Sequence, residues 1–386
     1  MMSNNKKIVA VAVLALIMAS VVVVLGSFTR LAHAGLGCPD WPTCYGHLWV
    51  PNESHEIDAA NAAFTDTPVE TDKTWPEQIH RIFASSLGLV ILTLLFLSAR
   101  AATVRLGSIY ILLGALVAGL VARIFAGDGL DPLLWLLVGL YFLNVWRLRG
   151  QLTATLRLAA ILAGLVILQG FFGMWTVTLK LWPQVVTAHL LGGFATFCVI
   201  WLFIQVALAY QWRLQAPAVV QLFKTKKLAV LALGAAIVQI TLGGWTSSNY
   251  AALACPDFPL CQNAVFPSAD YLQGFNIFQH VGPNYLGGLL DNHARIAIHF
   301  SHRIGAIVLT VFCLALSLSL FKTKAPAVRR MALILLAALL AQISLGISNI
   351  VLSLPLSVAV LHNAGGAILL VVLVTINHRI SSVKTL

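Results

Sequence analysis

LGSFTRLAHAGLGCPDWPTC at residues 25–44 returns as LGGWTSSNYAALACPDFPLC at 242–261. Both stretches leave an apolar run through Leu-Gly and close on Cys-Pro-Asp-aromatic-Pro-x-Cys. Working outward, QIHRIFASSLGLVIL at 78–92 is matched by FSHRIGAIVLTVF at 300–312. LQGFFGMWTVTLKLWPQVVTAHLLGGFA at 168–195 is matched by AQISLGISNIVLSLPLSVAVLHNAGGA at 341–367. Matched blocks in one order mean an internal duplication, and in a chain this apolar they imply two packed helix bundles about a pseudo-two-fold axis.

The 386 residues are 59% hydrophobic and 10% charged, where a soluble domain carries about 25% charged residues. Mean hydropathy is +0.90. Apolar runs of about 20 residues are each long enough to cross a bilayer as a helix, the form that satisfies every backbone group internally. Ten spans are expected: 8–26, 79–98, 107–125, 131–147, 155–176, 185–210, 228–247, 296–320, 331–352 and 357–377. The one at 131–147 is the shortest. The first follows Lys6 and Lys7 like a signal peptide, but its apolar run is too long for an h-region, so it is read as a transmembrane helix.

Charge supports this topology. With the N-terminal segment inside, seventeen of the 24 Lys and Arg residues fall on the cytoplasmic side, including Arg105, Lys227, Arg330 and Lys384. All 13 Asp and Glu residues fall on the other side or at its interface. That is the positive-inside pattern. The net charge of +11 therefore reports orientation, and a nucleic-acid partner is excluded because no soluble basic face with aromatic platforms exists.

The two halves differ in length. His80 and His189 are 109 residues apart, whereas His302 and His362 are 60 apart. The excess lies near 101–150 and holds two spans. The expected fold is all-α and membrane-integral: two pseudo-symmetric four-helix bundles, eight core helices, plus an inserted hairpin. The first half is 1–215 and the second 216–386. Outer loops at 27–77 and 248–295 would cap them.

Of eleven histidines, His80, His189, His302 and His362 stand at repeated positions near the outer ends of helices. Two imidazoles on facing helices suit the axial positions of a heme iron. Gly192, Gly193, Gly365 and Gly366 would let a flat macrocycle approach the backbone. Arg81 and Arg303, each next to a candidate ligand, would pair with heme propionates. Two plainer readings compete. A single intramembrane histidine commonly hydrogen-bonds between helices, and a zinc site wants three or four converging ligands. Repetition at four positions with only two histidines per half favours heme.

Glu77 lies three residues before His80, one helical turn outward. Its counterpart is His299, so the sites are not equivalent. A carboxylate there could act on developing charge; alternatively it merely caps the helix. Cys38/Cys44 and Cys255/Cys261, with identical spacing in outer loops, are read as disulfides, with a structural clasp and a redox relay both open. Cys198 and Cys313 are inert core residues.

The chain resembles the heme A synthase family. The motifs are GLGCPDWPTC at 35–44, PEQIHR at 76–81, FGMWTVTLKLWPQVVTAHLLGG at 172–193, GGWTSSNYAALACPDFPLC at 243–261, HFSHRIGA at 299–306 and LHNAGGA at 361–367. They cover nearly the whole chain; the departure is the extra helix pair near 101–150. The resemblance implies oxidation of the C8 methyl of heme O to a formyl group by successive hydroxylations. It implies His80 and His189 on the substrate heme, His302 and His362 on a heme b, and Glu77 in catalysis. It also implies a bacterial inner membrane location with the heme sites toward the periplasm, a heme O synthase as source of substrate, and an electron partner that the sequence does not identify. Two other classes remain open: a bis-histidine b-type cytochrome that only transfers electrons, and a transporter whose histidines relay protons.

Overall fold

The computed structural model describes the backbone of residues 2–102, 106–126 and 128–386, and side chains from residue 5 on except at 103–105 and 126–128. Arg105, one of the basic residues used for orientation, lies outside the described residues.

The long helices are α1 (Met2–Leu31), α3 (Thr71–Ala102), α4 (Gly107–Ala126), α5 (Asp131–Arg147), α6 (Ala154–Thr178), α7 (Pro183–Ala207), α8 (Ala216–Ser248), α10 (Asn292–Phe321), α11 (Pro326–Val351) and α12 (Leu356–Ser381). Short helices α2 (Ser54–Ala63) and α9 (Tyr271–Gly274) sit in the two outer loops. Proline opens several spans in the first turn, as in α8 and α11, where its missing N–H would have no helical partner.

Among the described residues, nine helices are long and apolar enough to cross a membrane. The tenth expected span is α5, at 17 residues. It rises about 25 Å, at the short limit for a crossing. Many large apolar side chains point outward, including Leu89, Ile111, Leu318 and Leu340. In lipid such exposure costs nothing, and helix association rests on packing and polar contacts instead.

Helix lengths repeat with the sequence. The pairs α1/α8 and α3/α10, which flank the outer loops, have 30/33 and 32/30 residues; α6/α11 and α7/α12 have 25/26 and 25/26. The longer set exceeds the hydrocarbon core, about 30 Å, and carries the loops above it. Backbone conformation repeats too. Left-handed residues pair as His33 and Tyr250 (φ 56° and 55°), Tyr45 and Gln262 (54° and 54°), and Leu181 and Leu354 (61° and 61°).

The chain divides into two compact units. The first runs to Thr178 and takes up again at Gly192–Ala209. In it α1 packs on α3, α3 on α6, and the α4–α5 hairpin on α6. Gly164 of α6 leaves the groove in which the Tyr141 ring lies, and the Tyr141 hydroxyl donates to Ala160 O at 2.7 Å. At the hairpin's turn, Arg123 Nε donates to Asp131 Oδ1 at 2.8 Å and Trp175 Nε1 to Asp131 Oδ2 at 3.1 Å. Thus the inserted pair is clamped to the core by hydrogen bonds as well as by apolar packing.

The second unit is Leu179–Leu191 with Tyr210–Leu386. Here α8 packs on α10 and α12, and α11 packs on the same two. The four form a ring with α10 and α12 at opposite corners. Strand β1 (Arg213–Leu214) pairs in parallel with β2 (Lys384–Thr385), which ties the segment after α12 to the start of α8. Cys198 and Cys313 are free and buried.

Candidate functional site

The Cys-Pro-Asp-aromatic-Pro-x-Cys motif folds the same way twice. Disulfides join Cys38 to Cys44 and Cys255 to Cys261, each with Cα atoms 4.7 Å apart. Trp41–Pro42 and Phe258–Pro259 are both cis. The aspartate is needed because the chain turns left-handed just after the second cysteine and leaves amides facing inward. Asp40 accepts from Tyr45 N at 2.6 Å, Gly46 N at 2.9 Å and Thr43 Oγ1 at 2.5 Å. Asp257 accepts from Gln262 N at 2.7 Å and Asn263 N at 2.8 Å. Tyr45 donates to Thr67 O and Pro68 O. Burial, followed by the charges of Glu70, Asp40 and Glu77, pushes its phenol up to about 12, so it remains a donor at all physiological pH.

Both disulfides are buried. Closing so small a loop is worth about 2–3 kcal/mol. Cys38→Ser should therefore loosen the first cap by that order, and limited proteolysis, which follows the open population, should cut within 48–70 about 30–100-fold faster than in the intact protein. An unchanged cutting rate would show that the aspartate turn suffices without the disulfide.

Each cap is held from below by the arginine of a His-Arg pair. Arg81 Nη1 donates to Asp40 O at 2.8 Å and Thr43 O at 2.7 Å, and Nη2 to Cys38 O at 3.3 Å and Glu77 Oε1 at 2.5 Å. Arg303 Nη1 donates to Leu260 O at 2.7 Å and Nη2 to Cys255 O at 2.6 Å. The sequence reading set both arginines against propionates. In the structure the Nη donors of Arg81 go to the cap and Glu77, while Arg303 retains Nη hydrogens beyond these bonds.

Glu77 does not cap its helix, since α3 begins at Thr71. It is buried, and Oε2 accepts from Cys38 N at 3.0 Å while Oε1 takes the Arg81 bond. His299 holds the matching part of the second cap. Arg303 Nε can only donate, and it lies 3.2 Å from His299 Nε2, so that nitrogen bears the lone pair. His299 Nδ1 then carries the proton and donates to Ala251 O at 3.0 Å. One clamp is an ion pair; the other sets a neutral ring against an arginine.

Below each clamp stand the candidate ligands. His80 lies on α3, and a side chain on Gly26 of α1 would start 2.9 Å from its Nε2. His302 on α10 faces Gly243 of α8, and His362 on α12 faces Gly346 of α11, each with the imidazole Cε1 3.1 Å from where a Cβ would sit. Glycine at these places lets the neighbouring helix approach the ring. His302 and His362 share the second unit, at opposite corners of its helix ring. His80 belongs to the first unit, while His189 lies in the segment that packs with the second. Among the described residues no three His, Cys, Asp or Glu side chains converge as a metal centre.

Three glutamines were missed by the sequence reading, two of them beside candidate ligands. Gln239 Nε2 is 3.1 Å from His302 Nδ1 and 3.0 Å from His302 O. Gln342 Nε2 is 3.3 Å from His362 Nδ1. Gln169, matched to Gln342 in the repeat, has both amide atoms buried without a hydrogen-bond partner among the described residues. Gly192 and Gly365, expected to admit a macrocycle, instead face the side chains of Gln169 and Gln342. For two of the three the signal was present: Gln169 and Gln342 each stand 20 residues before a candidate ligand, His189 and His362.

Against known proteins, the COX15-CtaA family model, described as cytochrome oxidase assembly protein, matches residues 10–125 and 123–374. The chain is 38% identical to the heme A synthase of Shewanella oneidensis over 363 residues, 94% of this chain and 93% of that protein. It is 26% identical to the heme A synthase of Caulobacter vibrioides over 93% of this chain and 91% of that one. The heme A synthase of Rhodopseudomonas palustris (strain BisB5) is also 26% identical, over 95% and 89%.

Proposed function

This chain belongs to the COX15-CtaA family of cytochrome oxidase assembly proteins, and from that premise we propose how its two halves divide the family's reaction. The chain is an integral membrane oxidoreductase that converts heme O to heme A. Residues 1–215 form the substrate half, with His80 and His189 on the iron of heme O. Residues 216–386 form the cofactor half, with His302 and His362 on a heme b. One observation carries the division: two clamps of the same build differ at one position, an anionic Glu77 against a neutral His299.

The second bundle has the donor set a heme b requires. Its two imidazoles stand over glycines, and Gln239 Oε1 and Gln342 Oε1 are buried without a hydrogen-bond partner. Turned toward the ring, such an oxygen would accept from Nδ1–H and leave Nε2 for the iron, the usual outer partner of a metal-bound histidine. Heme b, when bound, supplies an electron relay whose potential follows ligand and burial. Arg303, with Nη hydrogens to spare and no carboxylate in its clamp, is the propionate partner there; Arg81 has the same role in the first half through its remaining Nε–H.

In the first half, Glu77 is the catalytic residue. Electrons leaving the C8 methyl build positive charge on a carbon conjugated to the ring, and a fixed carboxylate stabilises that charge. The bonds from Cys38 N and Arg81 hold the carboxylate in one orientation before reaction. Segregated charge supports a plasma-membrane location with the caps on the periplasmic side and with Lys6, Lys7 and the segment after α12 on the cytoplasmic side. Heme O would arrive from a heme O synthase, and a separate redox partner would accept the electrons.

Expression beside a source of heme O, followed by chromatography of extracted hemes, tests the reading. Heme A should appear in amounts that follow the protein. Bound heme b without heme A would make the chain an electron-transfer cytochrome only.

A further inference from the structure

The connection from α6 to α7 belongs to the first half by sequence and to the second unit by packing. Lys180 and Leu181 turn the chain through two left-handed residues, φ 48° and 61°. Lys180 O accepts from Tyr285 N at 3.0 Å. Trp182 Nε1 donates to Gln279 O at 3.1 Å, and Gln184 Nε2 donates to Ile277 O at 2.8 Å. One turn into α7, Thr187 Oγ1 lies 3.2 Å from Ser248 Oγ in a buried pair. Gly244 of α8 makes the approach possible: a Cβ there would meet Thr187 Cγ2 at 3.1 Å and Leu190 Cδ2 at 3.2 Å. The start of α7, on both sides of His189, is therefore held by residues 244–248 and 277–285, all from the second half.

We infer that the outer-loop segment 277–285 of the second half is a positioning element for the substrate ligand His189. The inference rests on the proposal that His189 binds the iron of heme O. Side-chain donors at Trp182 and Gln184 meet backbone acceptors on the loop, so the loop's own conformation decides where the first turns of α7 stand. A ligand displaced by a fraction of an ångström loses much of its bond to a metal, whereas a heme b held by His302 and His362 would not sense the change. The cap of the cofactor half thereby governs how firmly the substrate heme is gripped.

The test is optical titration of purified protein with heme O, with heme b content and spectrum read in the same samples. Trp182→Phe with Gln184→Leu keeps apolar bulk and removes both donors. Heme O affinity should fall about tenfold, as two modest hydrogen bonds would give, while heme b content and spectrum match wild type. Trp182→Phe alone, carried alongside as the variant least disturbing to folding, should lower affinity about threefold. His189→Ala separates this inference from the one beneath it. Unchanged heme O binding in His189→Ala would remove the ligand assignment itself. Loss of binding in His189→Ala with wild-type affinity in both other variants would overturn the positioning role alone. Heme b lost in parallel with heme O affinity would also overturn it, because the contacts would then serve the fold at large.

Discussion

Glu77→Gln is expected to lower heme A formed per protein molecule by about 10²–10³-fold, the loss typical when one electrostatic stabiliser of a developing charge is removed. The exchange keeps the volume of a buried side chain and removes its charge. It also touches the cap. A glutamine oxygen can still accept from Cys38 N, but its NH2 cannot accept from Arg81, so one arm of the clamp is lost. A purely structural Glu77 would therefore show cap loosening and a modest change in turnover. Three readouts separate the cases: heme A with the alcohol intermediate, heme b content, and protease cutting within 48–70. The catalytic reading requires heme b near wild type and a rate loss far larger than the change in cutting. Glu77→Asp, which retains charge but shortens reach, should fall between. Wild-type heme A yield in both variants would leave Glu77 as a cap anchor only.

His302→Ala and His362→Ala should each abolish stable heme b binding. Each removes one imidazole of a pair placed at opposite corners of the α8–α10–α11–α12 ring, and an iron in a low-dielectric site then lacks an axial ligand. Neither replacement empties a dense core, since both rings rest against glycine and are only half-buried, so folding should survive. The reduced-minus-oxidised spectrum of the purified protein is the measurement. A full, unshifted b-type spectrum in both variants would end the assignment of the second bundle as cofactor site.

Much of the candidate site was legible because duplication supplies its own comparison. His80 against His302, His189 against His362, and the Glu77/His299 mismatch all come from aligning one half on the other. The same comparison held Gln169 and Gln342, which went unread because a glutamine in an apolar helix has no obvious chemistry until its neighbours are known. The protein partners of the arginines went unread for the same reason. A guanidinium beside a ligand suggests an anion, yet Arg81 reaches the carbonyls of Cys38, Asp40 and Thr43, about forty residues earlier in the chain.

By itself the sequence determined the membrane class, the helices and their doubling, the inserted pair and the cysteine pairing. Each of these follows from local properties: apolar length against bilayer thickness, repeated spacing, and the short reach of a seven-residue loop. Only the tertiary structure decided which donors meet which acceptors. It turned Arg81 and Arg303 onto the caps, filled the space beside Gly192 and Gly365 with glutamine, and gave residues 179–191 to the second unit. Those outcomes depend on side-chain direction and on contacts between segments up to about a hundred residues apart, as from Trp182 to Gln279. Periodicity specifies which face of a helix is apolar, but a hydrogen bond depends on the rotation and height of two helices and the loop between them.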